Sequence, residues 1–148
     1  MAVDNLNRIL IVEDNENDLE LTIDALSEHN FANFIDIARD GEEALDYLYK
    51  RGKFSARANG NPVVILLDLK LPKINGQEVL DEIKSTLEFK AIPVVVLTSS
   101  KEESDLIASY QKGVNAYVVK PVDFHDFVDA VKNLGIFWAL INETPRRS

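Results

Sequence analysis

The stretch N-P-V-V-I-L-L-D-L-K-L-P-K-I-N-G, residues 61–76, carries the clearest structural pattern of the chain. Residues 63–67 are aliphatic at every position and too few for a typical helix, so they predict a central parallel strand covered on both faces. Asp68 follows at the C-terminal end of this strand, and Pro72 and Gly76 indicate an extended turn. Asp68 either ends the strand or caps the next helix, or it performs chemistry, because open α/β sheets bind ligands beyond these strand ends.

The composition limits the class of protein. The chain has 148 residues, of which 46% are hydrophobic, so we expect one domain with one core. The formal net charge of -9 argues against nucleic acid or an anionic membrane as a partner and favours a magnesium site or a basic protein surface. The lack of cysteine, of a signal peptide and of an apolar run of roughly 20 residues predicts a soluble, cytoplasmic protein.

Short apolar runs alternate with helical patterns along the whole chain. Strands are predicted at residues 9–12, 33–38, 63–67, 94–97 and 116–119. Helical spacing of apolar residues is found at 15–26, 41–49, 79–83, 102–112 and 124–141. This alternation predicts an α/β fold, with a five-stranded parallel sheet, right-handed crossovers and helices on both faces.

Polar side chains follow four of these strands: Glu13 with Asp14, Asp68, Thr98, and Lys120. The ends of parallel strands face one way, so the side chains should meet at one edge of the sheet. Crowded carboxylates repel one another, and their oxygen atoms suit a hard divalent ion such as Mg²⁺, for which Mn²⁺ can substitute. The lysine and threonine suit the oxygens of a phosphoryl group that Asp68 attacks, which predicts an aspartyl phosphate.

Each of these residues also has a plainer explanation when it is taken singly. Thr98 could pack at a strand end, Lys120 could be a surface cation, and Tyr117 and Trp138 could belong to the core. The basic loop of residues 50–61 is by default a solvated loop, and a docking surface for an acidic partner is the minority interpretation. The coincidence of five polar residues at one sheet edge is what favours a functional site.

Nearly the whole chain resembles the response-regulator receiver domain of two-component signalling. The matching motifs are the acidic pair Glu13-Asp14, the D-x-x-x-P-x-x-x-G pattern of Asp68, Pro72 and Gly76, the hydroxyl of Thr98, the aromatic Tyr117, and Lys120-Pro121. The basic loop, the L-D-L-K-L-P run and the segment G-I-F-W-A-L-I-N resemble the stand-alone regulators paired with cyanobacterial phytochromes.

The resemblance implies a flavodoxin-like, doubly wound sheet with strand order 2-1-3-4-5. Residues 5–142 are expected to form a single receiver domain with an extended C-terminal helix, followed by a tail at 143–148. The last helix takes up the chain after Lys120, so no DNA-binding output domain is expected.

The resemblance also implies the roles of the site residues. Asp68 would accept a phosphoryl group from a sensor histidine kinase, with a phytochrome as the candidate kinase, and Lys70 would offer Mg²⁺ its backbone carbonyl. Thr98 and Lys120 would contact the phosphoryl group, Thr98 and Tyr117 would form the switch, and the Lys120-Pro121 bond would be cis. The protein would not be an enzyme beyond Mg²⁺-dependent autophosphorylation and autodephosphorylation, and would signal through contact with a downstream protein.

A symmetric homodimer through the fourth helix, fifth strand and fifth helix is the assembly that the resemblance implies. The candidate interface residues are Tyr110, Tyr117, Phe137, Trp138 and Ile141, which would form an exposed apolar patch. In the alternative, Phe137 and Trp138 fold back onto their own core.

Two other functions compete with this interpretation. A phosphatase of the haloacid-dehalogenase type needs a second acid two residues after its nucleophile, and Lys70 occupies that position. A receiver fold acting as a phosphorylation-independent adaptor would not need the acids, Thr98 and Lys120, all of which are present.

Overall fold

The computed structural model describes residues 8–27, 35–58, 60–99, 113–114 and 116–134. The elements are β1 (Ile9–Val12), α1 (Glu16–Ser27), β2 (Ile35–Ala38), α2 (Gly41–Tyr49), a 3-10 turn (Gly52–Phe54), β3 (Val64–Asp68), α3 (Gly76–Ser85), β4 (Val94–Thr98), β5 (Ala116–Val119) and α4 (Phe124–Asn133). The predicted strands are confirmed with small shifts. Asp68 and Thr98 are the last residues of their strands, whereas the sequence placed them just after.

The five strands form one parallel sheet in the order β2-β1-β3-β4-β5. This is the flavodoxin-like order that the resemblance implied, and it is confirmed. The register aligns the carboxyl ends of the central strands, because Asp68 lies opposite Leu97 and Thr98 lies opposite Val119. The residues predicted to meet at one edge of the sheet therefore start from neighbouring positions.

Among the described residues, each face of the sheet packs against two helices. Ile9 and Ile11 of β1 belong to the cluster that also contains the buried residues of α1 and α4. Leu10 and Val12 belong to the other cluster, with the buried residues of α2 and α3. Successive side chains of a strand point to opposite faces, and here both faces are buried, which is why the strands are apolar throughout.

Polar side chains cap the helices close to the strand ends. Asp40 accepts a hydrogen bond from the backbone N–H of Glu43 at the start of α2, and Asp123 accepts one from His125 at the start of α4. Asn75 and Glu78 form a reciprocal capping box at the start of α3. Such caps satisfy N–H groups that the helix itself leaves unpaired, so they determine where the loops around the sheet edge end.

The basic loop after α2 is exposed, as predicted, but its charges contact α2. Arg57 lies over the Tyr47 ring at 3.9 Å and donates to the Tyr47 carbonyl. Arg51 pairs with Asp46 at 2.8 Å and also lies over the Tyr49 ring. Such contacts between cations, carboxylates and rings hold the loop against the helix.

Several predicted features lie outside the described residues. They are the helix over residues 102–112, the extension of the last helix beyond Leu134, and four candidate interface residues, Tyr110, Phe137, Trp138 and Ile141. Within the described ranges, no helix combines the length and the apolar character that crossing a bilayer requires.

Candidate functional site

The side chains predicted to meet at the sheet edge line one cleft of about 210 Å³. Its lining residues are Glu13, Asp14, Asn15, Asp18, Asp68, Leu69, Lys70, Leu97, Thr98, Ser99 and Lys120. The cleft is smaller than the roughly 300–1,000 Å³ typical of sites for drug-sized ligands. Its size suits a metal ion and a phosphoryl group better than an extended substrate.

Asp68 is buried at the end of β3, and its two carboxylate oxygens have different partners. Oδ1 accepts a hydrogen bond from the backbone N–H of Lys70 at 3.0 Å. Oδ2 accepts one from the Lys120 ammonium at 3.1 Å. Both contacts orient the carboxylate, which would otherwise rotate about its own side-chain bonds. The carboxylate is therefore fixed at the floor of the cleft.

Glu13 and Asp14 follow β1 and face different surroundings. Glu13 is fully buried, and its Oε2 accepts a hydrogen bond from the Asn15 N–H at 3.2 Å, whereas Asp14 is exposed. Burial and, after it, the adjacent Asp68 carboxylate raise the pKa of Glu13 to about 7, against the opposing effect of Lys120. An acid with its pKa raised in this way lacks a sufficient counter-charge.

One carboxylate oxygen from each of Glu13, Asp14 and Asp68 lies within 4.8 Å of the others. Oxygen ligands at this separation can share a hard divalent cation that keeps some of its water. The raised pKa of Glu13 is consistent with a cluster that needs more positive charge than Lys120 supplies. The three acids therefore fit a magnesium or manganese ion.

Lys120 follows β5 and reaches across the cleft. Its backbone N–H donates to the Thr98 carbonyl at 2.7 Å, which ties the end of β5 to the end of β4. Its peptide bond to Pro121 is cis. Burial alone would lower the pKa of the ammonium, but the carboxylates of Asp18, Asp68 and Glu13 raise it above its ordinary value. Lys120 is therefore a permanent positive charge beside Asp68.

Thr98 and Tyr117 occupy the predicted positions on β4 and β5. Thr98 is buried and lines the cleft. Tyr117 is half-buried and packs against the core on the side of α2 and α3. The two residues thus stand on adjacent strands, which is the arrangement that a hydroxyl and aromatic switch needs.

The loop between β3 and α3 is held against the start of α2. A Cβ added to Gly41 would lie 1.8 Å from the carbonyl oxygen of Ile74, so only glycine allows this close approach. Lys73 in the same loop lies 3.5 Å from Asp40. Since this loop carries Lys70, its attachment to α2 determines where the Lys70 backbone lies relative to Asp68.

One residue of the cleft was missed by the sequence analysis as a site residue. Asp18 is an acid of the first turn of α1, and its carboxylate accepts a hydrogen bond from Lys120 at 3.0 Å. A signal was available, because the first turn of a helix that directly follows a strand end lies over the same sheet edge. Asp18 lies four residues after Asp14, within that first turn.

Comparison with known proteins agrees with this geometry. Residues 9–132 match the family described as the response regulator receiver domain. The response regulator Rcp1 of Synechocystis sp. is 42% identical over 130 residues, which are 88% of this chain and 87% of Rcp1.

Solved structures show the same fold. The bacteriophytochrome response regulator RtBRR superimposes with a TM-score of 0.85 and is 58% identical, over 95% of this chain and 84% of RtBRR. The Mn²⁺-bound form of Rcp1 has a TM-score of 0.72 and 39% identity, over 95% of this chain and 99% of Rcp1. The phosphorylated cyanobacterial phytochrome response regulator RcpA has a TM-score of 0.74 and 39% identity, over 95% of this chain and 99% of RcpA. The resemblance predicted from the sequence motifs is confirmed.

Proposed function

This chain belongs to the response regulator receiver family of two-component signalling, and on that premise we propose that Asp68 accepts a phosphoryl group from a sensor histidine kinase. The protein would act in the cytoplasm and signal through contacts that depend on phosphorylation. The single observation that carries the proposal is the meeting of Asp68, Lys120 and the acid cluster in one cleft.

The proposed reaction is an in-line transfer to a carboxylate oxygen of Asp68. A new P–O bond forms to Asp68 while the P–N bond of the donor phosphohistidine breaks, and the imidazole keeps the electron pair and takes a proton. Lys120 would donate to a phosphoryl oxygen in exchange for one of its carboxylate contacts, because its ammonium lies beside Asp68. The buried hydroxyl of Thr98 offers a second contact at the end of β4.

A divalent ion belongs to the proposal. Glu13, Asp14 and Asp68 would hold Mg²⁺ or Mn²⁺, with the Lys70 backbone carbonyl as a further ligand. When bound, the ion neutralises charge on the carboxylates and on the phosphoryl oxygens. The related Rcp1 has been solved in a Mn²⁺-bound form, which supports the proposal that this chain also binds a divalent ion.

The response to phosphorylation is proposed to run through Thr98 and Tyr117. The Thr98 hydroxyl would move toward Asp68 to donate a hydrogen bond to the phosphoryl group. The half-buried Tyr117 ring would then turn inward into the space that the hydroxyl leaves. One new bond would thus bias a two-state element. The relative RcpA has been solved in a phosphorylated form, which supports the proposal that this chain is phosphorylated.

The proposed partners follow from the relatives. RtBRR and RcpA are phytochrome response regulators, so a phytochrome kinase is the proposed phosphoryl donor. We also propose a symmetric homodimer in which Tyr117, Phe137 and Trp138 take part, and a downstream protein target reached by surface contact.

A phosphatase of external esters is the less supported alternative. It would need an acid two residues after Asp68, and that position is the exposed Lys70, whose backbone N–H donates to Asp68. No proton-transfer group stands at that position, so turnover of phosphate esters is not expected. A phosphorylation-independent adaptor would leave the arrangement of Asp68, Lys120 and the acids without a use.

Phosphoryl transfer to the purified protein tests the proposal. With Mg²⁺ and either acetyl phosphate or a phosphorylated histidine kinase, the wild type should gain acid-labile phosphate, and Asp68→Asn should gain none. Asp81→Asn changes an exposed aspartate of α3 and should label like the wild type. Equal labelling of Asp68→Asn would show that the acceptor is another residue. Faster transfer from a phytochrome kinase than from other kinases would support the proposed donor.

A further inference from the structure

The Lys120 ammonium contacts three carboxylates in this structure. Its Nζ lies 3.0 Å from Asp18, 3.1 Å from Asp68 and 3.2 Å from Glu13. A lysine ammonium has three N–H donors and no acceptor. The three carboxylates therefore use all of its donors, and a phosphoryl oxygen can receive one only if a carboxylate releases it.

Asp18 differs from the other two carboxylates. The side chains of Glu13 and Asp68 are 0% and 7% exposed, whereas the side chain of Asp18 is 30% exposed. Glu13 and Asp68 also belong to the acid cluster that fits a metal, and Asp18 lies outside it. Water can solvate the Asp18 carboxylate after release, so its contact with Lys120 is the least costly of the three to break.

The backbone of Asp18 is held independently of this contact. Its N–H donates to Asn15 Oδ1 at 2.9 Å, and its carbonyl accepts from Thr22 Oγ1 at 2.9 Å. The start of α1 therefore places the carboxylate beside Lys120 without needing the lysine. A change from carboxylate to amide at Asp18 leaves these backbone hydrogen bonds in place.

We propose that Asp18 is a positioning residue of the phosphoryl-transfer site, which holds the Lys120 ammonium and competes with the incoming phosphoryl oxygens for it. The inference rests on the proposed function. Before transfer, Asp18 keeps the ammonium over the cleft. During transfer, its hold on Lys120 must be given up before the ammonium can donate to a phosphoryl oxygen, so Asp18 slows the reaction.

The test compares initial rates of labelling by acetyl phosphate at saturating Mg²⁺. Asp18→Asn keeps the shape of the side chain and removes its charge, and it should raise the rate by about three- to tenfold, the scale of one charge interaction that water screens. Asp24→Asn is the matched control, because Asp24 is an exposed aspartate of the same helix. It should leave the rate unchanged.

A second comparison tests the route through the lysine. Asp18→Asn is made in the Lys120→Ala background, where the competition no longer exists, and the gain should disappear. The unfolding midpoint in urea checks that the variants are folded. Asp18→Asn and Asp24→Asn should have similar midpoints.

The outcomes separate this inference from the proposed function. A wild type that takes no phosphoryl group overturns the proposed function, and the competition with it. A phosphorylated wild type whose rate is unchanged or reduced by Asp18→Asn overturns the inference alone. A gain that persists in the Lys120→Ala background also overturns it, because the effect would then be general charge repulsion.

Discussion

The backbone of Gly76 passes so close to Asp68 that a Cβ at Gly76 would lie 2.6 Å from the Asp68 carbonyl oxygen. It would also lie 2.4 Å from the Leu69 Cα. These neighbours are backbone atoms, which cannot move aside as a flexible side chain can. The glycine of the D-x-x-x-P-x-x-x-G pattern is therefore required by the return of the chain against the acceptor strand.

Gly76→Ala should destabilise the protein by about 2 kcal/mol, within the range measured for overpacked sites. It should also weaken Mg²⁺ binding, because the strain falls on the strand end that carries Asp68. Urea unfolding and a Mg²⁺ titration measure the two effects. Gly60→Ala is the control, since nothing lies within 4 Å of a Cβ at Gly60. Equal stability of the two variants would contradict the steric explanation.

Removal of Asp14 should have opposite effects with and without metal. In Mg²⁺, the wild type should be stabilised by about 2.7 kcal/mol when the free ion is at one hundred times its dissociation constant, and Asp14→Asn should lose most of this gain. Without Mg²⁺, Asp14→Asn should be at least as stable as the wild type, because repulsion among three carboxylates is reduced. Thermal unfolding with Mg²⁺ or with a chelator measures both, and Glu20→Gln, an exposed acid of α1, is the control. If Asp14→Asn without metal were less stable than the wild type, repulsion among the three carboxylates would not be the dominant effect.

Lys120→Ala should keep Mg²⁺ binding and lose the conformational response to phosphorylation. Without metal, the variant should lose about 3 kcal/mol of stability, because Glu13 and Asp68 are left buried without their counter-charge. Amide NMR spectra with and without phosphorylation measure the response, and Lys90→Ala, at an exposed lysine, is the control. Thr98→Ala and Tyr117→Ala should also reduce the response. Phosphorylation-induced shifts in Lys120→Ala or Thr98→Ala that equal those of the wild type would exclude the proposed switch.

Asp36 should stabilise the protein in a pH-dependent way. Burial would raise its pKa, but the hydrogen bonds from Arg8 and Tyr47 lower the pKa below its ordinary value. For an acid with a lowered pKa, the stabilisation is complete above the unfolded pKa and is lost as pH falls through the folded pKa. Asp36→Asn should therefore cost about 1.5–3 kcal/mol at pH 7 and much less near pH 2.

Urea unfolding at several pH values measures this dependence. Tyr47→Phe keeps the ring under Arg57 and removes one hydrogen bond to Asp36, so it should show a smaller loss with the same direction. Asp129→Asn, at an exposed aspartate of α4, should differ little from the wild type at any pH. A cost of Asp36→Asn that is independent of pH would show that the charge of Asp36 does not matter.

The proposed homodimer should depend on Trp138. Sedimentation of the wild type and of Trp138→Ala, each with and without phosphorylation, measures the association. The wild type should form dimers and Trp138→Ala should stay monomeric and folded, because an apolar patch of the interface is lost. A wild type that is monomeric at high concentration in both states would exclude the dimer. A Trp138→Ala protein that unfolds would assign the side chain to the core.

The sheet and most of the site could be predicted from local patterns of residues. Doubly covered parallel strands are apolar at every position, so β1, β3 and β4 could be recognised as short runs. The acids and Thr98 stand where those runs end, and Lys120 follows the short apolar run of β5. Parallel strands bring their ends to one edge whatever the details of packing. Asp68, Glu13, Asp14 and Lys120 could therefore be grouped before any coordinates were known.

The contacts among these groups, by contrast, depend on how whole elements pack and could not be predicted from local patterns. Asp18 and Lys120 are 102 residues apart, and Arg8 and Asp36 are 28 apart. Such pairs form because β1 lies between β2 and β3 and because α1 starts over the sheet edge. No local sequence pattern indicates that these distant residues are in contact. The basic residues that contact α2 are likewise interpreted from the sequence as solvated charges. In the structure, the Tyr47 ring lies beneath Arg57. Periodicity reports which face of an element is buried, whereas contacts between distant side chains depend on the packing of whole elements.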